Sequence, residues 1–319
     1  NEVGDYIIYW LADAYQNPGG QRPGTAIALR GNQGCGKGTV AHYAGKPFGR
    51  HYLALSSGDT LTGRFNQHLQ DAILVFADEA IWGGDKQAEG KLKSLITEPT
   101  LFIEPKGLNG FEVKNCVRLI LASNNDWVVP AGMDERRFVV LDVSDKRIGN
   151  YEYFAAIREQ MDNGGVEAMV HDLLQLDLSQ VNLRIIPRTD ALLDQIAASL
   201  SPFGKFWFEK LRSGVLFQYG GELINGVFLP TSGNYPGDWP ELVLTADFFN
   251  EFIAYCKLMN VGYRPSDRTV GRELAQLCPE SRRKRDTKWD RKYEYHLPTL
   301  DRCRELFEKR VKMGINWDE

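Results

Sequence analysis

A glycine-rich segment near the amino end of the chain constrains the fold more than any other feature, because it directly follows a short apolar run. The run covers residues 25–29, and residues 30–39 read Arg-Gly-Asn-Gln-Gly-Cys-Gly-Lys-Gly-Thr. This pattern predicts a P-loop, a strand-to-helix turn whose backbone N–H groups converge on phosphate while a lysine adds positive charge. A chance glycine-rich turn is the alternative, and the preceding strand argues against it. The residues predicted to bind phosphate are Gly31, Gly34, Cys35, Gly36, Lys37, Gly38 and Thr39.

The residue after the lysine departs from the common P-loop pattern. Ser or Thr usually stands there and binds Mg²⁺ through its hydroxyl, whereas this chain has Gly38, with Thr39 one position later. Thr39 is therefore the candidate hydroxyl for Mg²⁺, and the shift leaves that role open. Gly-Lys-Gly-Thr also resembles the P-loops of nucleoside monophosphate kinases, which makes a small-molecule phosphotransferase an alternative function.

An acidic pair, Asp78 and Glu79, follows a second apolar run over residues 72–77. At a strand end beside a P-loop, Asp78 is placed to hold Mg²⁺ and Glu79 to polarise the attacking water. An apolar run that ends in two acids is also common at surface turns, so the pair gains its meaning from the P-loop upstream.

A third apolar run, over residues 116–122, ends in a polar segment that contains Asn124. An amide at that strand end is predicted to orient the lytic water beside the γ-phosphate, and an Asx-turn that closes the strand is the alternative. Arg136 and Arg137 follow two acidic residues, so local salt bridges are one interpretation. In an oligomeric ATPase, at least one of these arginines is expected to reach the nucleotide of a neighbouring subunit.

Short apolar strands that alternate with helices predict an α/β fold over residues 1–190, a parallel sheet between helices as in P-loop ATPases of the AAA+ type. Strands are predicted at residues 25–29, 72–77, 116–122 and 137–142. Helices are predicted at residues 3–15, 38–43, 85–96, 151–162 and 165–176. A hairpin is expected over residues 101–113, and Lys106 and Lys114, which flank its predicted tip, are candidates for contact with a DNA backbone.

Residues 191–319 are predicted to form a smaller α+β domain that resembles a winged helix. Its predicted helices cover residues 190–212, 246–258, 268–278 and 299–312, with a Gly/Pro-rich stretch at 213–240 and a basic stretch at 282–292. The formal net charge of the chain is −4, but residues 261–319 carry +4. This asymmetry favours contact of the basic stretch with DNA, and a solvated ribbon is the alternative. The predicted contacts are Arg282, Arg283, Lys284, Arg285 and Lys288.

Cysteine usage and hydropathy indicate the compartment. The five cysteines are scattered and form no CxxC pair, which predicts reduced thiols in a cytosolic protein without structural zinc or disulfides. No apolar run has the roughly 20 residues that span a bilayer, so no membrane partner is expected. The chain begins with Asn1 rather than Met, which we interpret as a fragment of a longer polypeptide.

The order of these motifs resembles that of superfamily 3 helicases from viruses and mobile elements. Residues 93–97, 103–107 and 113–115 are similar to the additional motif that this superfamily carries between its acidic pair and its polar strand end. Residues 9–12, 63–66 and 134–138 are similar to the helicase portion of phage primase–helicase and primase–polymerase proteins. The likeness covers residues 2–200 well and the remaining residues more weakly.

The resemblance implies a hexameric ring with ATP and Mg²⁺ bound between subunits, and a pore hairpin that carries Lys106. It further implies 3′-to-5′ movement on single-stranded DNA, a primase–polymerase part on the amino-terminal side of the same polypeptide, and the host cytoplasm as the location. Besides the phosphotransferase, a nucleotide-gated DNA-binding module without unwinding activity is an alternative.

Overall fold

The structure, a computed structural model, describes residues 2–79, 86–219, 221–224, 227–230, 235, 237–262, 265–285 and 292–317. Lys288, one of the predicted DNA contacts, lies outside these residues. The chain divides into two units: residues 1–131 with 135–196 form unit 1, and residues 132–134 with 197–319 form unit 2. Within the described ranges, no helix combines the length and the apolar character needed to cross a membrane.

Unit 1 is built on a sheet of five parallel strands, which confirms the predicted α/β fold. The strands of unit 1 are β1 (Ala26–Arg30), β2 (Tyr52–Leu55), β3 (Leu74–Asp78), β4 (Thr100–Ile103), β5 (Phe111–Lys114), β6 (Arg118–Ser123) and β7 (Phe138–Asp142). The sheet has the order β2-β3-β6-β1-β7, and β4 and β5 pair separately as an antiparallel hairpin. The near-continuous apolar runs of β1, β3 and β6 are typical of strands that are covered on both faces.

Helices accompany this sheet along the chain. They are α1 (Glu2–Gln16), α2 (Lys37–Gly45), α3 (Gly58–Thr62), α4 (Lys86–Thr97), α5 (Tyr151–Gln160), α6 (Val166–Gln175) and α7 (Asp190–Ser199). The segment predicted as one helix over residues 190–212 is instead two helices. It divides because Ser201 accepts a hydrogen bond from the N–H of Gly204 and so caps a new helix that starts at Pro202, a residue suited to the first helical turn.

The strand order places the ends of β1 and β6 at a topological switch point. The connection from β1 leads to β2, past β6 and β3, whereas the connection from β6 leads to β7, past β1. These neighbouring strands therefore send the chain in opposite directions. In open α/β sheets, ligands bind in the crevice at the carboxyl ends of strands at such a point. The predicted P-loop follows β1 and Asn124 follows β6, so both predicted site elements lie there.

A buried ion pair ties β6 to α1. The Arg118 guanidinium donates to Asp13 Oδ2 at 2.9 Å and to the carbonyls of Asn17 and Pro18. The Arg118 side chain is only 1% exposed. An arginine inside an otherwise apolar strand is tolerated because these acceptors replace the water that it loses.

Unit 2 has its own core. Its elements are α8 (Pro202–Ser213), β8 (Gly221–Ile224), β9 (Val227–Pro230), β10 (Leu242–Leu244), α9 (Thr245–Leu258), α10 (Asp267–Leu277), β11 (Arg282–Arg285), β12 (Tyr293–His296) and α11 (Leu300–Val311). The aromatic rings of α8 and α9 pack together, with Phe206 within 6 Å of the rings of Phe248, Phe252 and Tyr255. Strands β10, β12 and β11 form an antiparallel sheet in that order. Helices α9 and α10 are thus followed by a two-stranded ribbon whose basic residues lie in β11.

Candidate functional site

The loop between β1 and α2 has the strand-to-helix geometry that the glycine pattern predicts. Gly36 precedes α2 with φ 108° and ψ 4°, a left-handed conformation that glycine adopts without strain. A Cβ atom at this position would lie 3.1 Å from the Phe154 ring, which is a second reason for glycine. The N–H of Gly31 donates to the carbonyl of Ser123 at 3.2 Å and so ties the start of the loop to the end of β6.

Lys37 is the first residue of α2, directly after this loop, and is buried. Its Nζ atom donates to the carbonyls of Gly31 at 2.6 Å and Asn32 at 3.0 Å, and to Asn124 Oδ1 at 2.9 Å. The loop therefore wraps around the ammonium group of its own lysine. The contact with Asn124 brings together two predicted site residues that follow different strands, β1 and β6.

Glu79 completes this group of polar side chains. Asn124 Nδ2 lies 3.5 Å from Glu79 Oε1, so a chain of contacts runs from Lys37 through Asn124 to Glu79. The backbone φ of Glu79 is 53°, which is uncommon for a residue with a Cβ atom. Its N–H donates to the carbonyl of Ala122 at 3.0 Å, and this bond holds the turn. Such strained conformations are concentrated at functional sites.

The donors for a metal ion at this edge are few. Asp78 is exposed at the end of β3, next to Glu79, and the described part of the chain contains no group of three or more His, Cys, Asp or Glu side chains arranged as a metal site. Mg²⁺ commonly binds through one or two carboxylates together with phosphate oxygens and water, so a single Asp78 fits this ion. Thr39 is the one residue of α2 with an aliphatic hydroxyl group. A Cβ atom at Gly38 would meet nothing within 4 Å, so packing does not require glycine there.

A second charged cluster, at the carboxyl ends of the same strands, was not predicted from the sequence. Arg30, the last residue of β1, donates to both carboxylate oxygens of Asp142 and to Asp194 Oδ2. Hydrogen bonding to these carboxylates raises the pKa of the Arg30 guanidinium above its ordinary value. A charged residue at the end of an apolar strand was the available signal, but its partners come from distant parts of the chain.

Arg136 and Arg137 lie at the amino ends of the sheet strands, whereas Lys37 lies at the carboxyl ends. The Arg137 carbonyl accepts from the N–H of Ala26, at the start of β1, whereas the P-loop begins after the end of β1. Because Ala26 pairs with Phe138, Arg137 lies level with Thr25. Six residue steps along the strand lead from Thr25 to Gly31, the first residue of the loop, and at about 3.3 Å each they span roughly 20 Å. The structure therefore does not bring either arginine to the predicted phosphate-binding loop of the same chain.

The acidic residues before the two arginines do not form the local salt bridges that were one interpretation. The carboxylate of Glu135 is buried and accepts from the backbone N–H groups of Arg136 and Arg137. Asp134 pairs instead with Arg310 at 3.0 Å and with Lys312 at 3.5 Å. The side chains of both arginines thus make no ion pair within the described residues.

The hairpin places its two predicted lysines at opposite ends, which corrects the expectation that both flank the tip. Lys106 lies in the turn between β4 and β5. Lys114 pairs with Thr100 at the base of the hairpin, because the strands are paired over four residues each. The hairpin also exposes two large apolar side chains, Phe102 at 58% and Leu108 at 71%, and neither was singled out from the sequence.

The basic strand β11 is exposed along its length. Arg283 is the engaged member, since it pairs with Asp267 at 3.1 Å and stacks on the Tyr293 ring at 4.6 Å. Arg282, Lys284 and Arg285 form no ion pair with any described residue. Of the predicted DNA contacts in this strand, these three therefore have the freer charge.

Comparisons with known proteins find that the chain is similar to a phage DNA primase-polymerase. A family of unknown function, DUF5906, matches residues 29–137, the segment from the P-loop strand to the arginine pair. The chain is 28% identical over 215 residues to the DNA primase-polymerase of Nitratiruptor phage NrS-1. The aligned segment covers 63% of this chain and 30% of that protein. The chain therefore spans less than a third of the length of this relative.

Solved structures of the C-terminal region of the NrS-1 protein have the same fold. Two apo structures of that region superpose with a TM-score of 0.66 at 17% identity, and cover 92% of this chain and 71% of the other. A third superposes with a TM-score of 0.63. The resemblance to phage primase–polymerase proteins is thus confirmed: the chain is a homologue of the NrS-1 primase-polymerase and shares the fold of its C-terminal region.

Proposed function

We propose that this chain is the ATP-hydrolysing module of a phage-type DNA replication protein, a superfamily 3 helicase of the AAA+ type. The observation that carries the proposal is the contact chain Lys37–Asn124–Glu79 at a topological switch point. A phosphate-binding lysine, a polar amide and a carboxylate that can accept a proton lie within hydrogen-bonding reach of one another. These are the groups that phosphoryl transfer to water needs.

Each residue has a distinct role in this proposal. The loop N–H groups of residues 34–39 and Lys37 bind the phosphates of ATP, the substrate. Glu79 accepts a proton from the attacking water, and Asn124 orients that water. Asp78, with Thr39 as the available hydroxyl, would hold Mg²⁺, which shields the phosphate charge when bound.

The positions of the arginines support a site shared between subunits. Because Arg136 and Arg137 lie roughly 20 Å from the P-loop of their own subunit, they can act on ATP only if another copy presents its nucleotide to this edge. Arg136 is exposed and makes no ion pair with any described residue, so its charge is available to a neighbour. A closed ring repeats this contact around its axis, and we propose a hexamer.

Contact with single-stranded DNA is assigned to two surfaces. Lys106 and the exposed Phe102 and Leu108 combine charge with apolar surface on the hairpin, as nucleic-acid binding without sequence preference requires. In unit 2, helices α9 and α10 with β11 and β12 form a winged-helix-like arrangement in which Arg282 and Arg285 face solvent.

The relative supports the biological setting. Since it is named a DNA primase-polymerase and this chain has the fold of its C-terminal region, we propose a primase–polymerase part in the same polypeptide and replication in the host cytoplasm.

The decisive experiment measures ATP hydrolysis with and without single-stranded DNA, together with the mass of the assembly. We expect DNA to stimulate hydrolysis and the assembly to grow when an ATP analogue is present. Mixing an Arg136→Ala/Arg137→Ala protein with a Lys37→Ala protein should restore hydrolysis where mixed assemblies form. Failure of that restoration would exclude action across subunits.

The two alternatives predict different results. A phosphotransferase would turn over ATP only with a nucleotide acceptor and would ignore DNA. A nucleotide-gated binding module would retain its DNA affinity in Lys37→Ala and would hydrolyse almost no ATP as the unmodified protein.

A further inference from the structure

A cavity of about 750 Å³ opens at the sheet edge opposite the P-loop, entirely within unit 1. Five cationic side chains line it, and the other lining residues are neutral. Among the described residues, therefore, no carboxylate lines this cavity. The five cations are Arg22, Lys114, Arg136, Arg137 and Arg184. Of these five, the proposed function uses only Arg136 and Arg137, and it gives no role to the other three.

Four of these cations have no counter-charge. Lys114, Arg136, Arg137 and Arg184 make no side-chain hydrogen bond or ion pair with any described residue, and the Nε atom of Arg137 is buried without a partner. A buried donor without an acceptor costs free energy unless a ligand satisfies it. Like charges that converge on one cavity also repel each other, so an anion would relieve both costs.

Arg22 lines the cavity, but its guanidinium is already bound to backbone carbonyls. Its guanidinium donates to the carbonyls of Leu95, Val117 and Glu98 at 2.9, 2.7 and 2.5 Å. Burial, with the nearby charge of Arg118, lowers the pKa of Arg22 to about 10. The backbone bonds therefore hold Arg22 in place, and the other four cations remain for a ligand.

We propose that this cavity binds the polyphosphate group of a nucleotide and that Lys114 and Arg184 bind it together with Arg136 and Arg137. The volume is in the range of small-molecule sites. A concave pocket with converging cations suits a compact polyphosphate, whereas an extended nucleic-acid backbone needs a groove. The source of the nucleotide, the P-loop of an adjacent copy, rests on the proposed function, but anion binding by the cavity can be tested separately.

The test uses inorganic tripolyphosphate and the Lys37→Ala protein, in which the P-loop lacks its lysine. Isothermal titration should detect tripolyphosphate binding, and Arg184→Ala in this background should weaken it about tenfold, since one charge-assisted hydrogen bond contributes at least this factor. Lys114→Ala should weaken it similarly, and Arg184→Lys should recover part of the loss. Arg158→Ala, which removes an exposed arginine of the same unit outside the cavity, is the matched control.

Three outcomes would overturn the proposal: no binding in Lys37→Ala, the same affinity in Arg184→Ala and Lys114→Ala as in Arg158→Ala, or displacement of tripolyphosphate by single-stranded DNA and not by ATP. Circular dichroism checks that each variant is folded. Absence of ATP hydrolysis in the unmodified protein would refute the proposed function and leave the binding result standing, so the two failures are distinguishable.

Discussion

Lys37 Nζ lies 2.9 Å from Asn124 Oδ1, and this contact joins the glycine-rich loop after β1 to the end of the neighbouring strand β6. The same amide approaches Glu79 through its nitrogen at 3.5 Å. Asn124 thus connects the group that would bind phosphate with the group that would activate water. A shift of Lys37 toward a bound phosphate would break or rearrange this contact, so we expect nucleotide binding to be coupled to the position of Glu79.

Asn124→Ala should separate nucleotide binding from hydrolysis. We expect the rate of ATP hydrolysis to fall about 100-fold, the usual effect of removing one positioned polar group, while nucleotide affinity changes little. Fluorescence titration with an ATP analogue and steady-state turnover measure the two quantities. Asn125→Ala, which removes the adjacent amide, is the control, and equal losses in both variants would contradict the role of Asn124.

Glu79→Gln should abolish most of the turnover because an amide cannot accept the proton of water. The expected loss is about 10²- to 10⁴-fold in kcat, with ATP still bound. If the variant lost ATP binding and kept its turnover rate, Glu79 would contribute to nucleotide binding and not to the chemical step. Glu79→Gly adds a separate readout: the φ of 53° suits glycine, so the free energy of unfolding should not fall.

Gly38→Ser should be tolerated, since a Cβ atom there meets nothing within 4 Å. The Gly38→Ala variant should gain about 0.5–1 kcal/mol of unfolding free energy from helix propensity. Gly38→Ser also adds a hydroxyl where common P-loops bind Mg²⁺, so half-maximal hydrolysis should need less Mg²⁺ than in Gly38→Ala. The same Mg²⁺ requirement in both variants would mean that the hydroxyl does not reach the ion.

Lys106→Ala and Lys114→Ala should differ in their effect on DNA binding because the structure places them at opposite ends of the hairpin. Lys106→Ala should weaken binding of single-stranded DNA and lower the slope of log affinity against log salt by about 0.7, with basal ATP hydrolysis unchanged. Lys114→Ala should leave the slope unaltered. Equal slopes in the two variants would contradict this division of roles.

Asp13→Ala should destabilise the fold strongly, since it leaves the buried Arg118 guanidinium without its carboxylate partner. Removal of one member of a buried pair costs about 3–5 kcal/mol. Asp162→Ala breaks the exposed pair with Lys46 and should cost less than about 1 kcal/mol. Urea unfolding measures both, and similar values would show that Arg118 finds other acceptors.

The strands that carry the site were predictable because their patterns are local. Each apolar run of the sheet core ends in a polar residue, and the runs before the P-loop, Asp78 and Asn124 became β1, β3 and β6 at nearly the predicted positions. Strand β2 was not predicted, since its four residues lie at the sheet edge and are not fully buried. Weak burial leaves a weak apolar pattern.

The sequence alone determined the parallel sheet between helices, the glycine-rich strand-to-helix loop and the polar residues at the strand ends, since strand burial and glycine spacing are properties of neighbouring residues. Only the tertiary structure decided which of these groups meet. Strand order places Asn124 beside Lys37 and Arg137 at the amino ends of the strands. Pairing of the hairpin places Lys114 not at its tip but at its base, where Lys114 lines a cavity together with arginines. These relationships join residues far apart in the chain, and the order in which strands pair is not encoded in any local pattern.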